Sequence, residues 1–184
     1  MDGEEFYKGL RYEFDPGHNR DVKEAYIPVK IGVGEWTEFM NKVLTEVMRK
    51  EGFVPSTHIE EVPVIRGNCR GRVDHKWQKK NEIVLVEHEN NILKVDFEID
   101  NLLNSDGDLK VLITYSSDSS KRDELRKKLL QQLKEHRTNR KFEFLLIMGK
   151  DDDMNAYNDW EAFQYRPSFE EAPVTHLIPE SSIK

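Results

Sequence analysis

Disulfide bridges are the first thing this sequence cannot make. It has one cysteine, Cys69, in 184 residues, so no bridge closes within the chain; its plain reading is an inert, half-buried thiol. Also lacking is any apolar run long enough to span a membrane. The opening stretch MDGEEFYKGLRYEF is acidic and has no apolar centre of the kind a signal peptide needs. A soluble cytoplasmic protein is the expectation. Positive charge is in the minority, 28 Lys and Arg against 35 Asp and Glu, for a net charge of -7. That balance argues against non-specific binding of nucleic acid but leaves room for a local basic patch. There are no internal repeats, P-loop, CxxC pair, HExxH or nucleophile elbow, which removes the chemistries those motifs carry.

What is present is enough for one domain with extensions: 37% hydrophobic and 34% charged residues, a modest core under a very polar surface. Residues 1–34 read as a polar N-terminal extension whose aromatics (Phe6, Tyr7, Tyr12, Phe14) are able to dock. It includes an edge strand over 25–31, where Pro28 forbids a central position. Residues 35–150 read as an α/β core. Glu35 to Glu51 is predicted as a helix, with Trp36, Phe39, Met40, Val43, Leu44 and Val47 on one face and Gly52 as its stop. Val62–Ile65 is a short strand. Ile92, Val95, Ile99 and Leu102 fit a helix from 92 to 104, capped by Asn90 or Asn91. The alternation Val95, Phe97, Ile99 fits a strand as well. The helix is preferred because the next strand needs a crossover. LKVLITY over 109–115 and FEFLLIM over 142–148 are buried strands flanking a helix from Lys121 to Arg137. Such alternation implies parallel neighbours. The charges on the outer face of that last helix are most simply solvent coverage. Residues 151–184 form an aromatic-rich C-terminal extension packed on the core: a short helix within 155–169 and an edge strand over 174–178. Asp106–Asp108 lacks the terminal glutamate of a calcium loop, and Asp151–Asp153 reads as a solvated turn.

The stretch with most chemistry is Arg70 to Asn91. Val73–Trp77 and Ile83–Val86 are rich in β-branched and aromatic residues, with a polar turn between them. A turn centred on Lys80-Asn81 pairs Trp77 with Val84 and sets Asp74 opposite Glu87. Glu89 shares the face of Glu87 and His88 points the other way. Opposed like charges repel, and a divalent cation with oxygen ligands turns that repulsion into a site. The competing reading is a solvated hairpin end. Against it, Ile83–Val86 is apolar on both faces, as a covered central strand is, and its C-terminal end breaks into Glu-His-Glu-Asn. Arg66, Arg70 and Arg72, in a loop with Gly67 and Gly71, are candidate phosphate contacts. An ordinary turn explains that loop equally well.

The order helix, hairpin, helix, strand, with Asp74 on one strand and Glu87-His88-Glu89 on the next, resembles the core of the PD-(D/E)XK nuclease superfamily. The likeness covers about Glu35 to Tyr115, and residues 121–148 are compatible with a further helix and strand. The resemblance implies a restriction endonuclease-like core, a central mixed β-sheet flanked by helices. It also implies hydrolysis of phosphodiester bonds in DNA with Mg²⁺ (or Mn²⁺) held by Asp74 and Glu87. Glu35 looks like the helix glutamate found in many members, and a homodimer is in keeping with relatives that cut as dimers. One position departs. The family carries Lys where this chain has Glu89, and Glu89 donates no positive charge. Lys94 and Lys76 are the candidates to replace it, although each also reads as a surface lysine. The alternative on the same fold is a non-catalytic binding or regulatory module. A domain that binds a small cationic ligand is a more distant reading.

Overall fold

The computed structural model describes residues 1–14, 33–56, 62–63, 70–71, 73–136, 141–150, 160–166 and 171–173. It is a three-layer α/β arrangement about one mixed sheet. The elements, in chain order, are α1 (Gly3–Phe14), α2 (Val33–Lys50), β1 (Val54–Pro55), β2 (Val62–Pro63), β3 (Arg70–Gly71), β4 (His75–Lys79), β5 (Glu82–Glu89), α3 (Val95–Asn104), β6 (Leu109–Tyr115), α4 (Ser119–Glu135), β7 (Glu143–Gly149), β8 (Glu161–Tyr165) and β9 (Glu171–Pro173). Seven strands form one sheet in the order β1-β4-β5-β6-β7-β8-β9, and β2 pairs with β3 separately. The central β5, β6 and β7 are parallel, and the strands outside them pair antiparallel. No described helix is long and apolar enough to cross a membrane.

The three parallel strands are buried almost throughout, because both faces are covered. On one face, α1 and α2 lay Phe6, Leu10, Phe14, Trp36, Met40 and Leu44 against Val84, Val86, Val111 and Ile147. On the other, α3 and α4 lay Val95, Ile99, Leu102, Leu125, Leu129 and Leu133 against Leu85, Leu112 and Leu146. Alternate residues of one strand therefore serve different layers.

The helix after the β5 end is real, and Val95 and Ile99 point inward while Phe97 stays exposed, as a 3.6-residue period requires. Its cap is Lys94, without a side-chain capping bond, not Asn90 or Asn91. Asn91 acts earlier, accepting from the Leu93 N–H at 3.0 Å. Gly52 ends α2 at φ 77°, a left-handed turn that favours glycine. Its N–H donates to Arg49 O at 3.0 Å and that of Phe53 to Met48 O at 2.9 Å.

Arg70–Gly71, expected in a loop, is strand β3 paired with β2, and two longer segments also differ from the sequence reading. The first residues form α1, a full helix whose Phe6, Leu10 and Phe14 are core residues, while Tyr12 stays half exposed. Within 155–169, the described part is the strand β8, not a helix. β8 pairs with β7, Leu146 with Phe163 and Met148 with Glu161. The strands expected over 25–31 and 174–178, the Asp151–Asp153 turn and Cys69 lie outside the described residues.

Candidate active site

The hairpin folds with the predicted register. Trp77 pairs with Val84 and His75 with Val86, so one step further Asp74 faces Glu87. Lys80 takes φ 55° at the turn, and the Gln78 side chain donates to its carbonyl at 2.9 Å. The two acids are laced together across the strands. The Asp74 N–H donates to Glu87 Oε2 at 3.1 Å, and the His88 N–H donates to Asp74 Oδ2 at 3.1 Å. Each carboxylate thus occupies a main-chain donor of the opposite strand where the ladder ends. Asp74 is exposed and Glu87 is fully buried.

Glu87 has a second partner that sequence reasoning did not single out. Asn101 of α3 donates through one Nδ2 to Glu87 Oε1 at 3.3 Å and to Glu98 Oε2 at 3.1 Å. Glu87 and Glu98 also share a side-chain hydrogen bond. With Asp74 adjacent, the doubly charged form of these two carboxyls is disfavoured. Burial, then the charges of Asp74 and Glu98, pushes Glu87 up to about 10. Burial first, and then Asp74, raises Glu98 as well. The remaining atom of the bridging amide, Asn101 Oδ1, is buried without a hydrogen-bond partner. The signal in the sequence was slight: Glu98 and Asn101, three apart, border the apolar stripe of Val95, Ile99 and Leu102, and i, i+3 residues are helix neighbours.

Of the other sequence candidates, Glu89 and Lys76 stand on the Glu87 face. Glu89 is half-buried on the Glu87 face, with its Oε1 accepting from the Asn91 N–H at 2.7 Å; its charge also reaches Glu98. Lys94 is exposed and has no ion pair among the described residues. Lys76 pairs with Leu85, so it stands diagonal to Glu87 on the same face, about 7–8 Å away at the backbone. Glu35 lies in the first turn of α2, the helix that covers the opposite face. The Glu35 side chain lies outside the described residues, as do Arg66, Arg72 and the side chain of Arg70.

The opposite face of the same strand end is built from rings. His88 Nε2 lies 2.9 Å from the Tyr115 hydroxyl. Tyr115 meets His88, Trp36 and Trp160 edge to face, at ring-centre distances of 5.5, 5.8 and 5.7 Å. Burial pulls His88 down to about 4, against the pull of Asp74, so the imidazole is neutral at pH 7. Gly149 permits this packing: a Cβ there would stand 2.6 Å from Tyr115 Cδ1.

Whether Mg²⁺ suits this site is a question of donor type and number. Among the described residues, no group of three or more His, Cys, Asp or Glu is disposed to hold a metal ion. Mg²⁺ commonly takes only one or two carboxylates and keeps several waters, and Asp74 with Glu87 supplies that smaller set. The two would offer carboxylate oxygens and not a cage, and both Glu87 oxygens already accept hydrogen bonds, from the Asp74 N–H and Asn101. No family model matches the chain and no curated protein matches it.

Proposed function

We propose that the chain is a Mg²⁺-dependent endonuclease-like protein that hydrolyses phosphodiester bonds in DNA, on a restriction endonuclease-like core. The reading is carried by one observation, the cross-strand pair of Asp74 and Glu87 at the carboxyl end of β5. A fully buried carboxyl beside two further acids is costly unless a proton or a cation neutralises it, and groups perturbed this way cluster at functional sites. Ligands of open α/β sheets also bind beyond the carboxyl ends of the strands.

Asp74 and Glu87 would hold the ion. When bound, Mg²⁺ supplies a Lewis acid for the phosphoryl oxygens and lowers the pKa of a water. The chain's own residues do the rest. Asn101 fixes the Glu87 carboxyl through Oε1 and the Asp74 N–H fixes it through Oε2, so the side chain is oriented before any ligand arrives. Glu98, hydrogen-bonded to Glu87, is the acceptor for the proton Glu87 releases on ionising. Lys76, on the carboxylate face, supplies the positive charge that Glu89 lacks, better placed for this than exposed Lys94.

Titration calorimetry with Mg²⁺ and Mn²⁺ tests the reading on the wild type, Glu87→Gln and Asp74→Asn. Incubation with supercoiled plasmid, single-stranded DNA and RNA accompanies it. The wild type should bind the ion and nick or linearise the plasmid, and both variants should lose binding and cleavage together. Cleavage that survives Glu87→Gln counts against the assignment of the site. Absence of cleavage under saturating metal counts against the nuclease itself. The second reading, a non-catalytic module, is favoured by one observation: Glu89, at the Lys position, is engaged with the Asn91 N–H. It predicts no cleavage of any nucleic acid with either ion.

A further inference from the structure

Large apolar side chains left open to solvent are few among the described residues, and half of them stand together. They are Tyr12, Val54, Leu93 and Phe97. Tyr12 belongs to α1 and Val54 to β1. Leu93 and Phe97 lie four residues apart at the start of α3, 73% and 62% exposed. The helical period explains why Phe97 is not core: Val95, Ile99 and Leu102 take the inward face, which turns Phe97 outward. Leu93 is held in the turn before the helix, its N–H donating to Asn91 Oδ1 at 3.0 Å and that of Lys94 to Asn91 O at 2.8 Å. Acids frame the pair. Residues 87–104 carry five Asp and Glu and one Lys. Of those acids, Asp96 is engaged by Lys128 and Glu87 is buried. Asp100 follows Phe97 by three residues, and Glu98 is its neighbour in sequence. Asp74 and Glu89 stand close enough for their charges to act on Glu98. Lys94 is the opposing charge on this stretch, and Lys76 lies on the sheet face of Glu87. Acceptors are in surplus as well. Asn101, 6% exposed, donates to Glu98 through Nδ2 and leaves its Oδ1 without a donor.

We infer that the start of α3 is a docking surface for a basic segment of a partner protein. Apolar side chains of that segment lie on Leu93 and Phe97, and its Lys or Arg side chains meet Glu98 and Asp100. The occupant follows from the charge at the patch. Two copies of this chain related by a two-fold axis would join through the same patch on each, so acids would face acids. Nucleic acid and anionic lipid headgroups carry the same sign as the surface. An apolar partner without charge would cover Leu93 and Phe97 but leave the carboxylates partly desolvated and without a cation. A basic segment with apolar side chains meets both needs, because ammonium and guanidinium groups bring several N–H donors to a place with more acceptors than donors. Apolar anchors inside a polar rim are also the common anatomy of a protein–protein interface. The inference uses neither Mg²⁺ nor cleavage, and so stands apart from the nuclease reading.

Fluorescence anisotropy without metal tests the surface with short labelled peptides. One is built from Lys and Leu, one from Lys and Ser with the same charge, and one from Glu and Leu. The wild type should bind the Lys–Leu peptide more tightly than either other peptide, and added salt should weaken that binding. Leu93→Ser/Phe97→Ser is expected to bind it about tenfold or more weakly. Asp100→Asn should weaken it by about two- to fivefold, and Lys94→Gln, which removes the opposing charge, should tighten it by a similar factor. None of these side chains is buried, and thermal melting confirms the fold of each variant. Equal affinity of the wild type and the double serine variant overturns the inference. So does a Lys–Ser peptide that binds as tightly as Lys–Leu, or a wild type that binds none of the three. Sedimentation of the protein alone covers the remaining occupant: a dimer that the serine variant abolishes gives the patch to a second copy and overturns the inference too. Plasmid cleavage is scored separately. Peptide binding without cleavage keeps the surface and removes the nuclease, and cleavage without peptide binding does the reverse.

Discussion

Glu87 and His88 are neighbours in one strand and live in different chemistries. The Glu87 side is polar and acidic, with three carboxyls and an amide meeting where α3 abuts the hairpin. The His88 side is a packed set of rings around Tyr115, with the imidazole kept neutral. Period-two alternation sends consecutive side chains to opposite layers, so one strand end supports both a site and its foundation. The contrast shows where the protein tolerates unfavourable charge. It keeps close-packed rings behind the strand and clusters repelling acids in front of it, and strain of that kind persists only where the surroundings hold it in place.

Removing the foundation should have the largest effect. Tyr115→Ala deletes a buried ring touching three others and should cost about 3–5 kcal/mol, measured by urea unfolding. A loss below about 1 kcal/mol would show that the rings do not act as a support. Asn101→Leu strikes the acidic side instead. It strips the shared donor from Glu87 and Glu98, and about 1–3 kcal/mol is expected, more at pH 8 than at pH 5. An equal loss at both pH values would mean the amide does not work against carboxylate charge.

The pH profiles of the two sides run in opposite directions. Burial and neighbouring acids raise Glu87 from 4.5 to about 10, so its contribution to stability is complete below about pH 4.5 and is lost as pH rises toward 10. The slope for one such group is at most about 1.4 kcal/mol per pH unit. Glu87→Gln should flatten this alkaline limb, because the Gln oxygen keeps the Asp74 N–H and its amide can meet the unpartnered Asn101 Oδ1. An unchanged limb in thermal melts from pH 6 to 9 would remove Glu87 as its source. Mg²⁺ at pH 8 should raise the melting temperature of the wild type and not that of the variant. The smallest effect belongs to His88, lowered by burial from 6.5 to about 4. Its contribution is complete above pH 6.5 and is lost as pH falls toward 4, so His88→Phe should soften the acid limb between those values. If the variant melts with the same acid limb, burial of a neutral imidazole is not its origin.

Local pattern was legible wherever neighbours in sequence are neighbours in space. The hairpin register followed from a polar turn and two β-patterned runs, and β6 matched its predicted bounds because LKVLITY is mostly apolar and β-branched, with turn residues before and after it, as suits a covered strand. The helix α1 was missed: Phe6, Leu10 and Phe14 form a stripe, but Gly3, Glu4, Glu5 and Gly9 make the segment look like a solvated extension. The β8 strand was missed because its aromatics suit a docked helix until β7 is known to have an open edge. Glu98 carried no signal stronger than any carboxylate beside an apolar stripe.

Composition and periodicity alone determined an α/β chain with a central covered strand ending in acids, and the facing of Asp74 and Glu87, since turn and alternation are short-range constraints. The tertiary structure alone decided that Glu87 is buried, that α3 brings Glu98 and Asn101 to it, and that rings back the strand from behind. Those outcomes depend on which layers close over the sheet, and layer packing is settled by contacts between residues far apart in the chain.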